Sequence, residues 1–314
     1  MVNEHKKGVA IMLLAGVCWG TSGTLSRLAP QGTAPIALAW TRLFCGGLFT
    51  LCAALLLSKR TFSLKSPLIL LSGVLTAANQ ICFFAAMDHL GVALGTMLVI
   101  GSSVIMAGIL GCFTGERPSG LWWFAAAIGI IGSCFAAASS SGSSLSLDLP
   151  GLLFGLGGGL AYAGLGVTFK LMDSQGFSAT WRNAVALSGG ALLLLPLPLF
   201  VTPMRWLMSS AGVLSALSIG MVATAIPYCL FAAALSRISV GQAYTISLAE
   251  PLTAGLLGLF LLGESLSLWG ALGMALQFSS MVLTGWEATR KGADEPPAKA
   301  EKRWQGSDNS YNTL

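Results

Sequence analysis

Charge is the scarcest commodity in this 314-residue chain: Asp, Glu, Lys and Arg make up 9% of it, against roughly 25% in a soluble domain. Apolar residues make up 54%. A soluble core has no room for that much apolar surface, so lipid is the expected solvent for most of the chain. Histidine is nearly missing, with only His5 and His89, and every aspartate (Asp88, Asp148, Asp173, Asp294, Asp308) falls in an expected loop or tail. No His, Cys or Glu spacing suits a metal, and no nucleophile and acid come together, so an embedded enzyme lacks its parts; no cofactor is expected. No Gly-rich loop closes on Lys-Ser or Lys-Thr, which leaves nucleotide-driven pumping without a site. No ring of like charges marks a pore mouth, so the usual sign of a passive channel is absent too. The net charge of +5 points, in so apolar a chain, to basic cytoplasmic loops and not to nucleic acid. The seven cysteines (Cys18, Cys45, Cys52, Cys82, Cys112, Cys134, Cys229) are odd in number and lie in apolar segments. Free, buried, small hydrophobes are the expectation for them.

What the chain does have is long apolar runs. A helix needs roughly 20 apolar residues to cross the hydrocarbon. Ten such segments lie at about 8–28, 36–57, 68–87, 90–113, 120–138, 150–172, 179–201, 210–235, 239–262 and 267–286. Lys6 and Lys7 before the first run imitate a signal peptide, but the run is long enough to span and is expected to remain uncleaved. From Glu287 the sequence turns polar and rich in Pro and Lys, and a disordered tail is expected over 287–314.

One pattern occurs twice. Val92 to Ser119 (VALGTMLVIGSSVIMAGILGCFTGERPS) and Val240 to Ser267 (VGQAYTISLAEPLTAGLLGLFLLGESLS) align without a gap at a shift of 148, and both reach Gly-Glu, as Gly115-Glu116 and Gly263-Glu264. The same shift pairs Val74, Thr76, Ala77, Phe83, Ala85 and Ala86 with Val222, Thr224, Ala225, Phe231, Ala233 and Ala234. At a shift of 143, Gly8, Leu13, Gly16, Gly23 and Leu28 meet Gly151, Leu156, Gly159, Gly166 and Leu171, while Trp19 meets Tyr162 and Arg27 meets Lys170. The expected division is a cytoplasmic N-terminus (1–7), a first five-helix repeat (8–138), an external linker (139–149), a second five-helix repeat (150–286) and the tail.

With both termini inside, Lys6, Lys7, Lys59, Arg60, Lys65, Arg117, Lys170, Arg182, Arg237 and five tail residues are cytoplasmic, while Arg27, Arg42 and Arg205 are outside. That split of 14 against 3 obeys the positive-inside rule and favours an even number of spans. Five spans per half is odd, so the second half enters from the opposite side and the repeats are inverted. The fold class expected is an all-α integral membrane protein of ten transmembrane helices in two inverted five-helix repeats. Secondary transporters are built this way, with the substrate between the repeats.

Trp19-Gly20 in the first span, Arg42 early in the second, Glu250-Pro251 in the ninth, and Gly-Glu after spans 4 and 9 resemble the EamA-type transporters of the drug/metabolite transporter superfamily. The resemblance covers about residues 8–286, and AEPLTAGLLGLFLLGESL is its most specific stretch. It implies a multi-pass carrier of the bacterial inner membrane for small metabolites, often amino acids or related compounds and often exported. The first copy departs from the pattern, because Ser102-Ser103 stands where the second has Glu250-Pro251.

Glu250 is the sharpest candidate, as the one acidic residue at mid-membrane depth. Such a group costs about 2.5–3.5 kcal/mol on insertion scales and is expected to face the bundle interior. It either binds a substrate ammonium or a coupling proton, or it caps carbonyls freed by Pro251, which lacks an N–H. Asn79 and Gln80 interrupt the third span and must find partners, another helix or a ligand. At the shift of 148 they sit opposite Pro227 and Tyr228, which points to a cavity at that depth. Trp19, Tyr162, Tyr228 and Tyr244 lie inside spans, where they either line an aromatic pocket or pack the core. Trp122, Trp123, Trp206, Trp269 and Trp286 fit the interfacial belt. Ser102 and Ser103 either pack helices closely or line the cavity opposite Glu250-Pro251. Arg42 either snorkels outward or meets a substrate carboxylate, and Arg182 reads as a cytoplasmic anchor. Glu116 and Glu264 read as caps of the next helix. Gly151, Gly155 and Gly159, and Gly16 with Gly20, form small-xxx-small faces for close packing and for a homodimer.

The reading that gathers these features is a secondary carrier exporting an amino acid or related amphipathic solute by alternating access, with a proton as coupling ion. The alternative within the class is an uptake permease for a nucleobase, sugar or cofactor precursor. Its expected partners are the solute and the lipid bilayer.

Overall fold

In the computed structural model, described over residues 2–26, 28–58, 63, 65–140, 148–201, 204–261 and 267–294, every regular element is helical. The first repeat supplies α1 (Val2–Gly20), α2 (Ser22–Ser26), α3 (Pro35–Leu57), α4 (Pro67–Leu90), α5 (Val92–Gly111) and α6 (Gly120–Ser140). The second supplies α7 (Leu149–Ser174), α8 (Ala179–Leu193), α9 (Ser210–Gly220), α10 (Ile226–Leu235), α11 (Val240–Ile246), α12 (Ala249–Leu261) and α13 (Leu268–Asp294). In lipid each backbone N–H and C=O must be satisfied within the protein, so apolar runs of this length close on themselves as helices. Nine of the described helical spans are long and apolar enough to cross a membrane, and a tenth apolar stretch, Gly120–Ala136, is shorter. The chain is thus an all-α membrane protein.

Local chemistry sets the ends. Pro35, Pro67 and Pro150 open their helices, where a missing N–H costs nothing. The Asp148, Ser178 and Ser209 side chains accept from backbone N–H groups of the first turns of α7, α8 and α9, and Ser239 with Gln242 forms a reciprocal capping box on α11. Prolines break the longer spans. The seventh changes after α8 into a π-helical turn at Leu197–Val201, around Pro196 and Pro198. The eighth carries a π-helical turn at Met221–Ala225 just before Pro227. The ninth is split between α11 and α12.

α7 packs on α4 and α5, α8 on α3 and α4, α1 on α10 and α12, and α13 on α6. Small residues permit these crossings: a Cβ on Gly159 would lie 2.0 Å from the Ser102 hydroxyl, and one on Gly132 2.7 Å from the Gly273 carbonyl. Large apolar side chains such as Leu56, Leu57, Phe200 and Phe260 point outward, as befits a lipid-facing surface.

Three expectations change. Among the described residues the cysteines are free, but none is fully buried, and Cys52, Cys112 and Cys134 are exposed; on a lipid-facing helix a small hydrophobe needs no burial. Trp122 is not interfacial: it is a buried wedge under Gly108 of α5 and Gly241 of α11. The polar tail begins later than 287, because α13 continues to Asp294 and its Glu287 carboxylate accepts from the Ser119 hydroxyl at 2.6 Å. Residues 295–314 lie outside the described residues, as do Arg27, Gly263 and Glu264.

Candidate functional site

The centre of the bundle is organised by the split in the ninth span. A proline in a continuous helix has no N–H for the carbonyl four residues back, and its ring collides with that carbonyl. For Pro251 that carbonyl belongs to Ser247, and the chain turns at Ser247-Leu248. The break is satisfied locally: the Ser247 carbonyl accepts from Glu250 N–H at 2.8 Å, the Thr245 carbonyl from Leu248 N–H at 3.3 Å, and the Tyr244 carbonyl from the Ser247 hydroxyl at 2.7 Å. Pro251 then sits in the first turn of a new helix, a tolerated position. Capping is therefore done by the Glu250 backbone, and its carboxylate makes no hydrogen bond or ion pair among the described residues. It is held half-buried in the first turn of α12, where the positive end of a helix dipole favours an anion.

Two glycines of α1 bring the wall to this point. A Cβ on Gly16 would lie 2.6 Å from the Ala249 side chain, and one on Gly20 2.8 Å from the Glu250 carbonyl. Trp19, between them, is the hub of an aromatic cluster. Its ring centroid lies 5.2 Å from Tyr228, 5.6 Å from Phe231 and 6.4 Å from Tyr162. The Arg42 guanidinium acts electrostatically on Tyr162, Tyr228 and Glu250. Arg42 and Glu250 nevertheless stay beyond the 4.0 Å of an ion pair. The Arg42 Nε is enclosed and has no hydrogen-bond partner among the described residues.

The structure divides the sequence candidates. Trp19, Tyr162, Tyr228 and Glu250 converge. The Tyr162 and Tyr228 hydroxyls and the Gln80 amide make no hydrogen bond among the described residues, and Gln80 is only 4% exposed. Asn79 is interhelical glue, its amide donating to the Gly158 carbonyl of α7 at 3.1 Å. Tyr244 is 0% exposed and its hydroxyl donates to the Tyr162 carbonyl, so it backs the aromatic wall from behind. Ser102 and Ser103 spend their hydroxyls on backbone: they donate to the Val99 and Ile100 carbonyls of their own helix at 3.2 and 2.7 Å, and Ser102 also reaches the Gly155 carbonyl of α7 at 3.5 Å. Phe231 belongs to the cluster and escaped selection, although its match with Phe83 between the copies was a signal.

The end of the bundle that carries the basic residues is tied shut by charge. Gly115, at φ 79°, supplies a left-handed turn that favours glycine. Glu116 follows it, accepting from the Lys170 ammonium and, at 2.8 Å, from Val240 N–H at the start of α11. It therefore caps a helix of the other repeat and not the next helix in sequence. Lys170 also donates to the Ile238 carbonyl at 3.1 Å. Arg182 is 2% exposed and is no surface anchor: it donates to the Phe169 carbonyl at 3.0 Å and the Ser236 hydroxyl at 2.8 Å, and pairs with Asp173 at 3.0 Å. Arg237 meets Glu4 at 3.2 Å. Packing follows the same gradient. Every residue of α11, on the tied side, is buried, whereas in α12 only Ala249 and Gly258 are.

Comparison with known proteins agrees with this architecture. The model of the EamA-like transporter family matches residues 6–138 and again 149–286. The chain is 38% identical to the uncharacterized transporter YwfM of Bacillus subtilis, over 87% of this chain and 91% of that one. It is 24% identical to the uncharacterized inner membrane transporter YicL of Salmonella typhimurium, over 92% and 99%. A solved crystal structure of a protein superposes with a TM-score of 0.77 at 16% identity, covering 90% of this chain and 98% of the other. At that identity the likeness concerns the fold alone.

Proposed function

Because the chain belongs to the EamA-like transporter family, it is a membrane transporter, and we propose that it exports a small organic solute, an amino acid or related amphipathic compound, in exchange for protons. The observation that carries this reading is the Glu250 carboxylate, half-buried at a helix break and left without a partner among the described residues. One carboxylate of this kind has two uses that exclude each other. Ionised, it attracts a substrate cation; protonated, it releases it. Competition at a single group links the two fluxes without a second site. The charged and titratable groups nearest it are Arg42, Tyr162 and Tyr228.

In this proposal both termini are cytoplasmic, and the tied end with Glu116, Lys170 and Arg182 is the closed cytoplasmic side. The proposed solute path would pass the Trp19 cluster and open outward along α12, in which only Ala249 and Gly258 are buried. Alternating access would require the ties at Val240 N–H and Asp173 to part as the opposite side closes. The π-helical turn before Pro227 and the Ser247-Leu248 turn are the places where the backbone is already irregular and can absorb the change.

The test has two parts. Spent medium from cells with and without the protein is compared to find the exported metabolite. Its pH-driven uptake is then measured in everted vesicles for the wild type and Glu250→Gln. Uptake that depends on the pH gradient in the wild type and is lost in the variant is expected. Unchanged pH dependence in Glu250→Gln removes the coupling role.

A further inference from the structure

The loop between α10 and α11, Ser236 to Ser239, is clasped from several sides. The Ser236 hydroxyl accepts from Arg182 of α8 at 2.8 Å and donates to Asp173 of α7 at 2.9 Å. Arg237 donates to Glu4 of α1 at 3.2 Å. Helix α1 comes so close that a Cβ on Gly8 would lie 2.8 Å from the Arg237 side chain and 2.9 Å from that of Ile238. The Ile238 carbonyl accepts from Lys170 of α7 at 3.1 Å. Directly after the loop, Val240 N–H donates to Glu116 at 2.8 Å. Two glycines aim that carboxylate. Gly115, at φ 79°, turns the chain, and Gly111 leaves room for it, since a Cβ there would meet the Glu116 carboxylate at 2.8 Å.

We propose that this loop is the gate at the basic end of the bundle and that Glu116 is the catch that holds it shut. The proposal rests on the carrier reading and names the contact that regulates access to its site. Three ties compete for the role of catch, and their setting decides between them. Asp173, Arg182 and Ser236 all belong to the second repeat, so their tie shapes the loop without holding it to the other half. Glu4 reaches across from α1, but its pair with Arg237 is about a third exposed, at 33% and 28%, and an exposed pair contributes little. Glu116 also comes from the first repeat, and its pair with Lys170 is only 11% and 19% exposed. Enclosed charges are costly to leave unpaired, whereas the same charges lose little once both are hydrated. The pair therefore parts in one step, when water reaches it, and half-open positions are disfavoured. At their far ends α10 and α11 meet the π-helical turn at Met221–Ala225 and the turn at Ser247-Leu248. The second of these leads into Glu250, which joins the state of the catch to that carboxylate.

The test needs no solute. In the full-length protein, with its seven native cysteines replaced by alanine, a single reporter is introduced as Ala243→Cys in α11 or, as a control, as Ala163→Cys in α7; both positions are 0% exposed. Labelling by a membrane-impermeant sulfonated maleimide is timed in everted vesicles. Slow labelling of both reporters is expected in the parent. Glu116→Gln is expected to speed labelling at position 243 by about tenfold and to leave position 163 slow. Lys170→Gln, which keeps the bond between Glu116 and Val240 N–H, should give a smaller rise at 243, and it carries the test if Glu116→Gln does not fold. Arg237→Gln should change neither reporter. Unchanged labelling at 243 in the Glu116 and Lys170 variants overturns the gate. A rise of the same size at 163 also overturns it, because that is general loosening. An equal rise in Arg237→Gln gives the catch to Glu4 and overturns it for Glu116. The carrier reading is decided separately by the pH-driven vesicle assay: uptake that depends on the pH gradient, with no change at 243, keeps the carrier and ends the gate.

Discussion

The fourth helix of one repeat and its counterpart in the other carry nearly the same pattern and end differently. α5 runs unbroken from Val92 to Gly111, and at the matching place the second copy is two helices, α11 and α12. The difference traces to two residues. Ser103 has an N–H and continues its helix, whereas Pro251 has none and forces a turn at Ser247-Leu248. The neighbouring exchange matters as much. The Ser102 hydroxyl is spent on backbone carbonyls of its own helix and of α7, while the Glu250 carboxylate finds no partner among the described residues. A duplicated scaffold thus keeps one copy as packing and leaves a free carboxylate in the other, where we propose that the ion or solute binds.

Several substitutions would break or sharpen that contrast. The largest effect is expected from Gly159→Leu, because a Cβ there meets Ser102 and the backbone of Ser103 at 2.0 and 2.9 Å. Overpacking of this kind costs about 3 kcal/mol or more, and the check is loss of the monodisperse peak on size-exclusion chromatography. Glu250→Gln should keep that peak and abolish uptake driven by a pH gradient, which separates the two copies by function and not by stability. Glu116→Ala removes the partner of Lys170 and the cap of Val240. A loss of about 2–3 kcal/mol, read as a lower thermal midpoint, is expected. Tyr244→Phe deletes one hydrogen bond to the Tyr162 carbonyl and should cost about 1 kcal/mol with transport retained. Smallest of all, Ser103→Ala removes only a bond to its own helix, and Ser102→Ala adds to such a bond one long contact of 3.5 Å to the Gly155 carbonyl of α7; both should stay within about 0.5 kcal/mol with normal transport. A tenfold loss of transport in either serine variant would return that residue to the cavity and end the contrast.

The positions of the helices were legible in the sequence because lipid imposes one rule on every span, and apolar length reports it directly. Part of the cluster proposed as the site was legible as well: Glu250, Trp19, Tyr162 and Tyr228 break an apolar pattern, and a polar or bulky group inside a span is expected to face protein. The same rule could not tell lining from backing. Tyr244 and Asn79 break the pattern just as visibly, yet each spends its polar atom on a neighbouring helix. Glu116 shows the limit most plainly. Its position after a helix suggested a cap for the next one, while its partners are 54 and 124 residues away.

By itself the sequence determined that this chain is a duplicated membrane bundle with one acidic residue at its centre, since composition and periodicity follow from local chemistry and the thickness of a bilayer. Only the tertiary structure decided which polar groups are satisfied and which are left free. Hydrogen bonds between helices depend on which faces meet, and that is set by close approaches at Gly16, Gly20 and Gly159. The Glu250 carboxylate, left without a partner among the described residues at the break where α12 meets α1, is of that second kind.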